Sequence, residues 1–259
     1  MRLDVFLSAS GLAKSRSYAS ELIKEGRVTF DGVVVTKASF DIADGDADKV
    51  SVTSELYPYV GRGGLKLEAA LDDSGVDVRG KVCVDIGASS GGFTDCLLKR
   101  GAQTVFAVDS GHGQLDESLA ADPRVVSLEG FNARGLRREH LGSVCDVAVC
   151  DVSFISQTLL SDAICDVLAE DGLFVTLIKP QFECGKEALG KGGIVKSPAD
   201  RLRAVRKVID HFTSCGLTLF AFIVSPVKGK DGNTEYLASF RRGRDCALTE
   251  QFVKEAVLC

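Results

Sequence analysis

Val82-Cys83-Val84-Asp85-Ile86-Gly87-Ala88-Ser89-Ser90-Gly91-Gly92-Phe93-Thr94 is the stretch that decides how this chain folds. Its first five residues form an apolar run of the kind buried on both faces of a parallel sheet. Glycines follow at once, and a helix is predicted over 92–100. A glycine-rich turn between strand and helix lets the backbone bend sharply and approach a ligand at the carboxyl edge of the sheet. The next strand, Thr104–Val108, is followed by Asp109, 22 residues after Gly87. There a carboxylate can accept hydrogen bonds from ribose hydroxyls. Such a turn and acid suit dinucleotide enzymes and adenosylmethionine enzymes alike. The spacing D-x-G-x-x-x-G, in place of G-x-G-x-x-G, favours the methyltransferases. A tight turn without a ligand is the blander alternative.

Downstream, the same alternation repeats. Val125–Leu128, Val147–Cys150 and Leu173–Ile178 are further apolar runs, and helical patterns lie near 113–121, 156–169 and 199–214. A parallel sheet with helices on both faces follows. Two strand-like runs, Leu217–Val224 and Tyr236–Phe240, are joined by a polar loop too short for a crossover helix, so an antiparallel edge hairpin is predicted. Upstream the pattern differs. Leu3–Leu7 begins a short helix that Gly11 ends, and Ser15 can cap a second one over Arg16–Glu25. Val28–Phe30, a turn at Asp31-Gly32 and Val33–Val35 read as a hairpin. Asp44-Gly45-Asp46 turns into one more strand, Lys49 to Val52. Ser54 to Val60, with Pro58, is linker-like. The expected fold class is α/β, a Rossmann-like sheet of the adenosylmethionine-dependent methyltransferase kind preceded by a small α+β domain. The expected division is 1–57 for the small module, 58–65 for the linker and 66–259 for the larger domain.

Composition narrows the setting. Hydrophobic residues make up 45% of the 259 and charged residues 26%, enough for a substantial core. No run approaches the roughly 18–20 apolar residues that span a bilayer, and Asp4 and two serines interrupt the N-terminal apolar stretch. A cytoplasmic protein without membrane association is expected. The nine cysteines include no C-x-x-C pair and lie within apolar or helical patterns, so free buried thiols are expected. With three scattered histidines, no metal site is expected. The net charge of −5 argues against a nucleic-acid partner until its distribution is considered. Residues 1–40 carry six Lys/Arg against four Asp/Glu, whereas 41–55 hold five acids against Lys49. The first forty residues thus form a weak basic patch.

Four polar residues stand where a core pattern does not ask for them. Lys66 lies in Arg62-Gly63-Gly64-Leu65-Lys66-Leu67, ahead of the first large-domain strand. Asp151 and Lys179 end strands, and Glu235 leads into the last one. Asp151 and Lys179 on neighbouring strand ends would reach the crevice of the glycine loop. Singly, each could be a solvated surface charge.

Together, this quartet resembles the Lys-Asp-Lys-Glu tetrad of the FtsJ-like ribose 2′-O-methyltransferases. The first module resembles the αL-type RNA-binding module, through Arg2-Leu3-Asp4, Gly11-Leu12-Ala13-Lys14-Ser15-Arg16, Gly26-Arg27-Val28 and Asp31-Gly32. The full order of this module, R-G-G-L-K-L, D-I-G-A-S-x-G-G-F-T-D and I-K-P-Q-F-E is similar to the TlyA family, whose members are often labelled haemolysins. Where longer members carry an Arg-x-Trp-Val linker, this chain has Tyr57-Pro58-Tyr59-Val60. In extent the chain resembles the short subgroup.

The resemblance implies S-adenosyl-L-methionine as cofactor and ribosomal RNA within a ribosomal subunit as partner, with no obligate protein partner evident. The implied target is a ribose 2′-hydroxyl, of a cytidine in large-subunit RNA for the short subgroup. Lys179 is the expected general base, with Lys66 lowering its proton affinity and orienting the hydroxyl. Asp151 and Glu235 would position the lysines and the target. Asp85, Gly87, Ser89 and Gly91 are expected along the methionine part of the cofactor, with Phe93 and Thr94 nearby. Asp109 is expected at its ribose and Asn132 at its adenine. Arg2, Lys14, Ser15, Arg16 and Arg27 are the expected phosphate contacts. Gly190–Val195 is expected to be a mobile lid. Two rival classes remain. One is a ribosome-assembly factor that binds RNA without catalysis. The other, a membrane-lytic protein, would need an amphipathic basic helix or an apolar span that the sequence lacks.

Overall fold

The computed structural model describes residues 1–43, 45–229, 232–243 and 248–258. Asp44 of the acidic stretch, and Cys246 and Cys259 among the thiols, lie outside the described residues. The chain divides into two units, Met1–Pro58 and Tyr59–Cys259.

In the first unit, helices α1 (Leu3–Ala9) and α2 (Arg16–Lys24) precede strands β1 (Val28–Phe30), β2 (Val33–Val34) and β3 (Val50–Val52). The strands form an antiparallel sheet in the order β2-β1-β3. Ser15 caps α2 by accepting the Tyr18 N–H through its hydroxyl oxygen. Asp31 and Gly32 both have positive φ, +50° and +76°. That geometry matches the right-handed twist of the flanking strands, which is why Asp-Gly is favoured there. Leu3, Leu7, Leu22, Ile23 and Val28 close the core. The last strand begins at Val50, one residue later than predicted, because Ala47–Lys49 form a single 3₁₀ turn.

The second unit runs α3 (Gly63–Ser74), β4 (Val82–Ile86), α4 (Gly92–Lys99), β5 (Thr104–Val108), α5 (Glu117–Ala120), β6 (Val125–Leu128), α6 (Arg138–Leu141), β7 (Cys145–Cys150), α7 (Ser161–Val167), β8 (Leu168–Ile178), α8 (Pro180–Glu183), α9 (Pro198–Ser214), β9 (Leu217–Val224), β10 (Tyr236–Arg242) and α10 (Glu250–Leu258). The sheet order is β6-β5-β4-β7-β8-β10-β9. Strands β4 to β8 pair in parallel, whereas β10 is antiparallel to both β8 and β9. The chain steps outward from β4 to β6 and then returns to the other side of β4 at β7. That reversal opens the crevice in which doubly wound sheets hold ligands. Alternate residues of the central strands enter two cores. Val147 and Val149 pack on one face with Leu67 and Leu97, while Ala148 and Cys150 pack on the other with Phe174 and Phe240.

Two of the departures from prediction bear on the site. The helix expected over 113–121 is confined to Glu117–Ala120, where Asp116 accepts the Ser118 N–H as its cap. Gly113 has a non-helical φ of +63°, and the Glu129 carboxylate holds the preceding loop by accepting the N–H groups of Gly113, Gln114 and Leu115 at 2.8–3.1 Å. Tyr59 to Leu65, expected within the linker, belong to the second unit, and α3 opens on Gly63-Gly64. A Cβ on Gly64 would stand 2.3 Å from the Tyr59 ring, whose hydroxyl donates to Glu68 at 2.7 Å. Gly64, which disfavours a helix in isolation, is thus what lets this one start against Tyr59.

Among the described residues every cysteine is a free thiol, and Cys83, Cys96, Cys145 and Cys150 are buried. Burial raises their pKa values, to about 12 for Cys96, Cys145 and Cys150. These thiols stay neutral and serve as small apolar side chains. No described cluster of His, Cys, Asp and Glu could hold a metal ion, and no described helix is long and apolar enough to cross a membrane.

Candidate active site

The turn from β4 to α4 lies on the carboxyl edge of the sheet, beside the end of β7. Gly87 has φ +87°, and a Cβ there would stand 2.7 Å from the Asp151 carbonyl oxygen. Only glycine lets the two strand ends approach so closely. The Asp109 carboxylate organises the turn by accepting the Ser89 N–H at 2.8 Å and the Gly111 N–H at 2.7 Å. A cavity of about 400 Å³ opens between these elements. Its wall brings together Gly87, Ser89, Asp109, Asn132 and Asp151 from the predicted set. Gln114, Phe131, Ser153, Phe154 and Ile155 join them. Sequence carried little sign of these five, which lie in irregular segments. Asn132 also accepts the Arg134 N–H at 3.1 Å and caps a short turn.

Four residues expected against the cofactor stand away from the cavity wall. Asp85 is completely buried and accepts a hydrogen bond from the Thr94 hydroxyl at 2.7 Å. Its other oxygen, Oδ1, has no hydrogen-bond partner among the described residues. Desolvation raises the Asp85 pKa to about 7; the Thr94 hydrogen bonds oppose the rise, and the Asp151 and Asp109 charges add to it. Thr94 is itself fully buried, and Phe93 packs into the core with Leu67 and Leu97. A Cβ on Gly91 would collide with Leu119 and Leu115, 2.3 and 2.8 Å away. Asp85, Phe93, Thr94 and Gly91 therefore support the turn from beneath. The first turn of an amphipathic helix points its apolar side into the core, and sequence alone could not assign the sides.

The four expected catalytic residues form two ion pairs. Lys179 Nζ lies 2.5 Å from Asp151 Oδ1 and donates to Ser153 Oγ at 2.8 Å. Lys66, on α3, donates to Glu235 Oε2 at 2.6 Å, and both side chains are almost fully buried. The register Tyr236↔Ile178 places Glu235 level with Lys179 across the antiparallel pair. Asp151, Lys179 and Glu235 thus follow or precede three adjacent strands at one edge. Each ammonium has its own carboxylate, so the charge of Lys66 reaches its surroundings already compensated. That pairing weakens the expected influence of Lys66 on Lys179.

In the first unit, Asp4 is buried and gathers two of the expected phosphate contacts. It accepts from Arg2 at 2.9 and 3.1 Å and from Arg16 at 2.9 Å. The Arg2 hydrogen bond, and after it Arg16, lower the Asp4 pKa to about 2 against the cost of desolvation. Lys14 is exposed, with its ammonium 4.4 Å from the centre of the Tyr18 ring. Arg27 is exposed and donates to Ser54 at 3.2 Å. The Ser15 oxygen is engaged as the cap of α2. The segment expected as a lid is tied down at Asn233, which accepts the Val195 N–H and donates to the Gly193 carbonyl.

Comparison with known proteins agrees with both units. Residues 59–242 match the FtsJ-like methyltransferase family, and residues 1–48 match the S4 domain. Across 256 residues the chain is 43% identical to the 16S/23S rRNA (cytidine-2′-O)-methyltransferase TlyA of Mycobacterium tuberculosis, covering 99% of this chain and 95% of that protein. The chain belongs to the TlyA family. Hemolysin A of Brachyspira hyodysenteriae is 44% identical over 241 residues, 93% of this chain and 99% of its own length. A solved structure described as a candidate hemolysin of Streptococcus thermophilus superposes with a TM-score of 0.80 at 35% identity. It covers 99% of this chain and 94% of its own. This TlyA-family chain is therefore an FtsJ-like methyltransferase joined to an S4 domain.

Proposed function

We propose that this chain transfers the methyl group of S-adenosylmethionine to the 2′-hydroxyl of a cytidine ribose in ribosomal RNA, with the large subunit as its substrate. The observation that carries this reading is the Lys179–Asp151 pair at the mouth of a glycine-walled cavity. The tuberculosis relative is named as a cytidine 2′-O-methyltransferase of both 16S and 23S rRNA, which includes the large subunit. The cavity fits the cofactor by its own construction. Its wall carries a carboxylate, Asp109, beside a backbone turn left open by glycine, and Asn132 presents an amide. Gly87 and Ser89 would lie along the methionine part, Asp109 at the ribose and Asn132 at the adenine. When bound, the cofactor supplies an already activated methyl group, so placement in line is the main demand on the protein.

Lys179, in its amine form, accepts the proton of the 2′-hydroxyl as that oxygen attacks. Asp151 and Ser153 hold Nζ in place. The Lys66–Glu235 pair stiffens the facing side of the site and orients the ribose. In the S4 domain, Arg2 and Arg16 are held side by side by Asp4, and with Lys14, Ser15 and Arg27 they contact phosphates, anchoring the ribosomal substrate. The reaction takes place where ribosomes are, in the cytoplasm, and needs no further protein.

Purified chain, methyl-labelled adenosylmethionine and separated ribosomal subunits test the proposal. Label should enter large-subunit RNA and map to a 2′-O-methylated cytidine by nuclease digestion and mass spectrometry. Label on a base, or none in either subunit, would overturn it.

A further inference from the structure

The motif that contains Lys179 continues through Pro180, Gln181 and Phe182 to Glu183, and the tetrad leaves Glu183 without a role. Its carboxylate is 1% exposed. Oε2 accepts from the Ser156 hydroxyl at 2.6 Å and from Lys207 Nζ, on α9, at 3.1 Å. Oε1 accepts the Gln157 N–H at 2.8 Å. Gln157 carries the connection into the sheet by donating to the Leu177 carbonyl and accepting from the Thr176 hydroxyl. Thr176 and Leu177 lie on β8, just before Lys179. A buried carboxylate costs several kcal/mol unless it is fully paired, and here a cation and two further donors offset that cost.

The placement of this knot gives it a function. The segment after β7 leaves the sheet at Asp151 and is caught again at Ser156 and Gln157. Between the two fixed ends lie Asp151 and Ser153, both holding Lys179 Nζ, and Phe154 at a φ of +64°. A non-glycine residue in that region is strained and persists only where its surroundings hold it. Glu183 is four residues beyond Lys179, on the chain that leaves β8. It therefore ties the departing ends of β7 and β8 together at the point where their side chains must meet. We propose that Glu183 is a positioning residue for methyl transfer, keeping Asp151 and Ser153 in register with Lys179 through Ser156 and Gln157. The proposal rests on the base role assigned to Lys179 above.

The test uses the full chain with large ribosomal subunits in single-turnover methyl transfer, alongside titrations of adenosylmethionine and of RNA. Glu183→Ala should slow transfer on the order of 10²-fold, as a misplacement of about 1 Å does, with both affinities within about twofold of the parent. Glu183→Gln keeps the acceptor for Gln157 and should recover much of the rate. In a Lys179→Ala background, Glu183→Ala should remove little more, because it acts through Lys179. A merely structural role predicts the same loss in both backgrounds, and that result would overturn the proposal, as would unchanged transfer by Glu183→Ala. If Glu183→Ala does not fold, Ser156→Ala cuts one strand of the knot and is judged by the same cycle. Full activity of Lys179→Ala would instead sink the base assignment, a different pattern from a normal Glu183→Ala rate beside an impaired Lys179→Ala one.

Discussion

Asp4 in the first unit and Asp85 in the second are both buried carboxylates, and their neighbours differ. Asp4 meets two guanidinium groups whose side chains are 51% and 60% exposed. Among the described residues, Asp85 meets Thr94 and no cation, with one oxygen unpartnered. The same contrast runs through the two units. The S4 domain uses buried charge to hold cations at the surface, where a polyanion can reach their remaining N–H donors. The methyltransferase unit pairs its lysines with carboxylates, Lys66 with Glu235 in the interior and Lys179 with Asp151, which lines the cavity. On the proposed function, phosphate contact needs charge left over, whereas proton transfer needs charge balanced and held still.

The strongest way to break this contrast is at Lys179. Lys179→Ala should lower methyl transfer by roughly 10²–10⁴, typical of a lost general base, with RNA and cofactor affinities nearly unchanged. Lys179→Arg keeps the charge but cannot give up its proton near neutrality, so it should be almost as slow. Substantial transfer by the Arg variant would make Lys179 a fixed charge, of the kind proposed for the S4 domain.

A second prediction sets the two carboxylates against each other by pH. Between about pH 4 and pH 7 the folded Asp85 keeps a proton that the unfolded chain has released. Stability of the second unit should therefore fall across that window as pH rises and level off above it, by on the order of a few kcal/mol. Asp85→Asn should remove that slope in thermal unfolding. Asp4 has the opposite sign. Its contribution is complete above about pH 4 and is lost as pH falls toward about 2. Matching pH trends in Asp85→Asn and the parent would refute the buried, protonated state of Asp85.

The smallest effect expected is at Arg27. Arg16 is a poor probe of RNA contact, because changing it also removes one of the two guanidinium partners of Asp4. Arg27 is exposed, and its side chain donates to Ser54 at 3.2 Å. Arg27→Ala should reduce the salt slope of RNA binding by about one and leave cofactor affinity alone. An unchanged slope would remove Arg27 from the phosphate contacts.

Local pattern was enough for much of the architecture. Apolar runs marked all seven strands of the large sheet, the glycine turn marked its crevice, and Ser15 and Asp31-Gly32 marked the joints of the small unit. Each is a signal carried by neighbouring residues through backbone preference and periodicity. The roles of Lys66, Asp151, Lys179 and Glu235 came from resemblance to a family, since periodicity shows only that four charges are out of place. Tertiary structure decided the rest. It sent Asp85, Gly91, Phe93 and Thr94 beneath the turn, started α3 where only Gly64 fits against Tyr59, and set Gly113 at a non-helical φ of +63° ahead of α5. It also joined Glu183 to the segment after Asp151. These outcomes depend on which groups meet across the fold, as when Lys66 reaches Glu235 from 169 residues away. A local pattern holds no record of such meetings, because burial and pairing are properties of the packed chain.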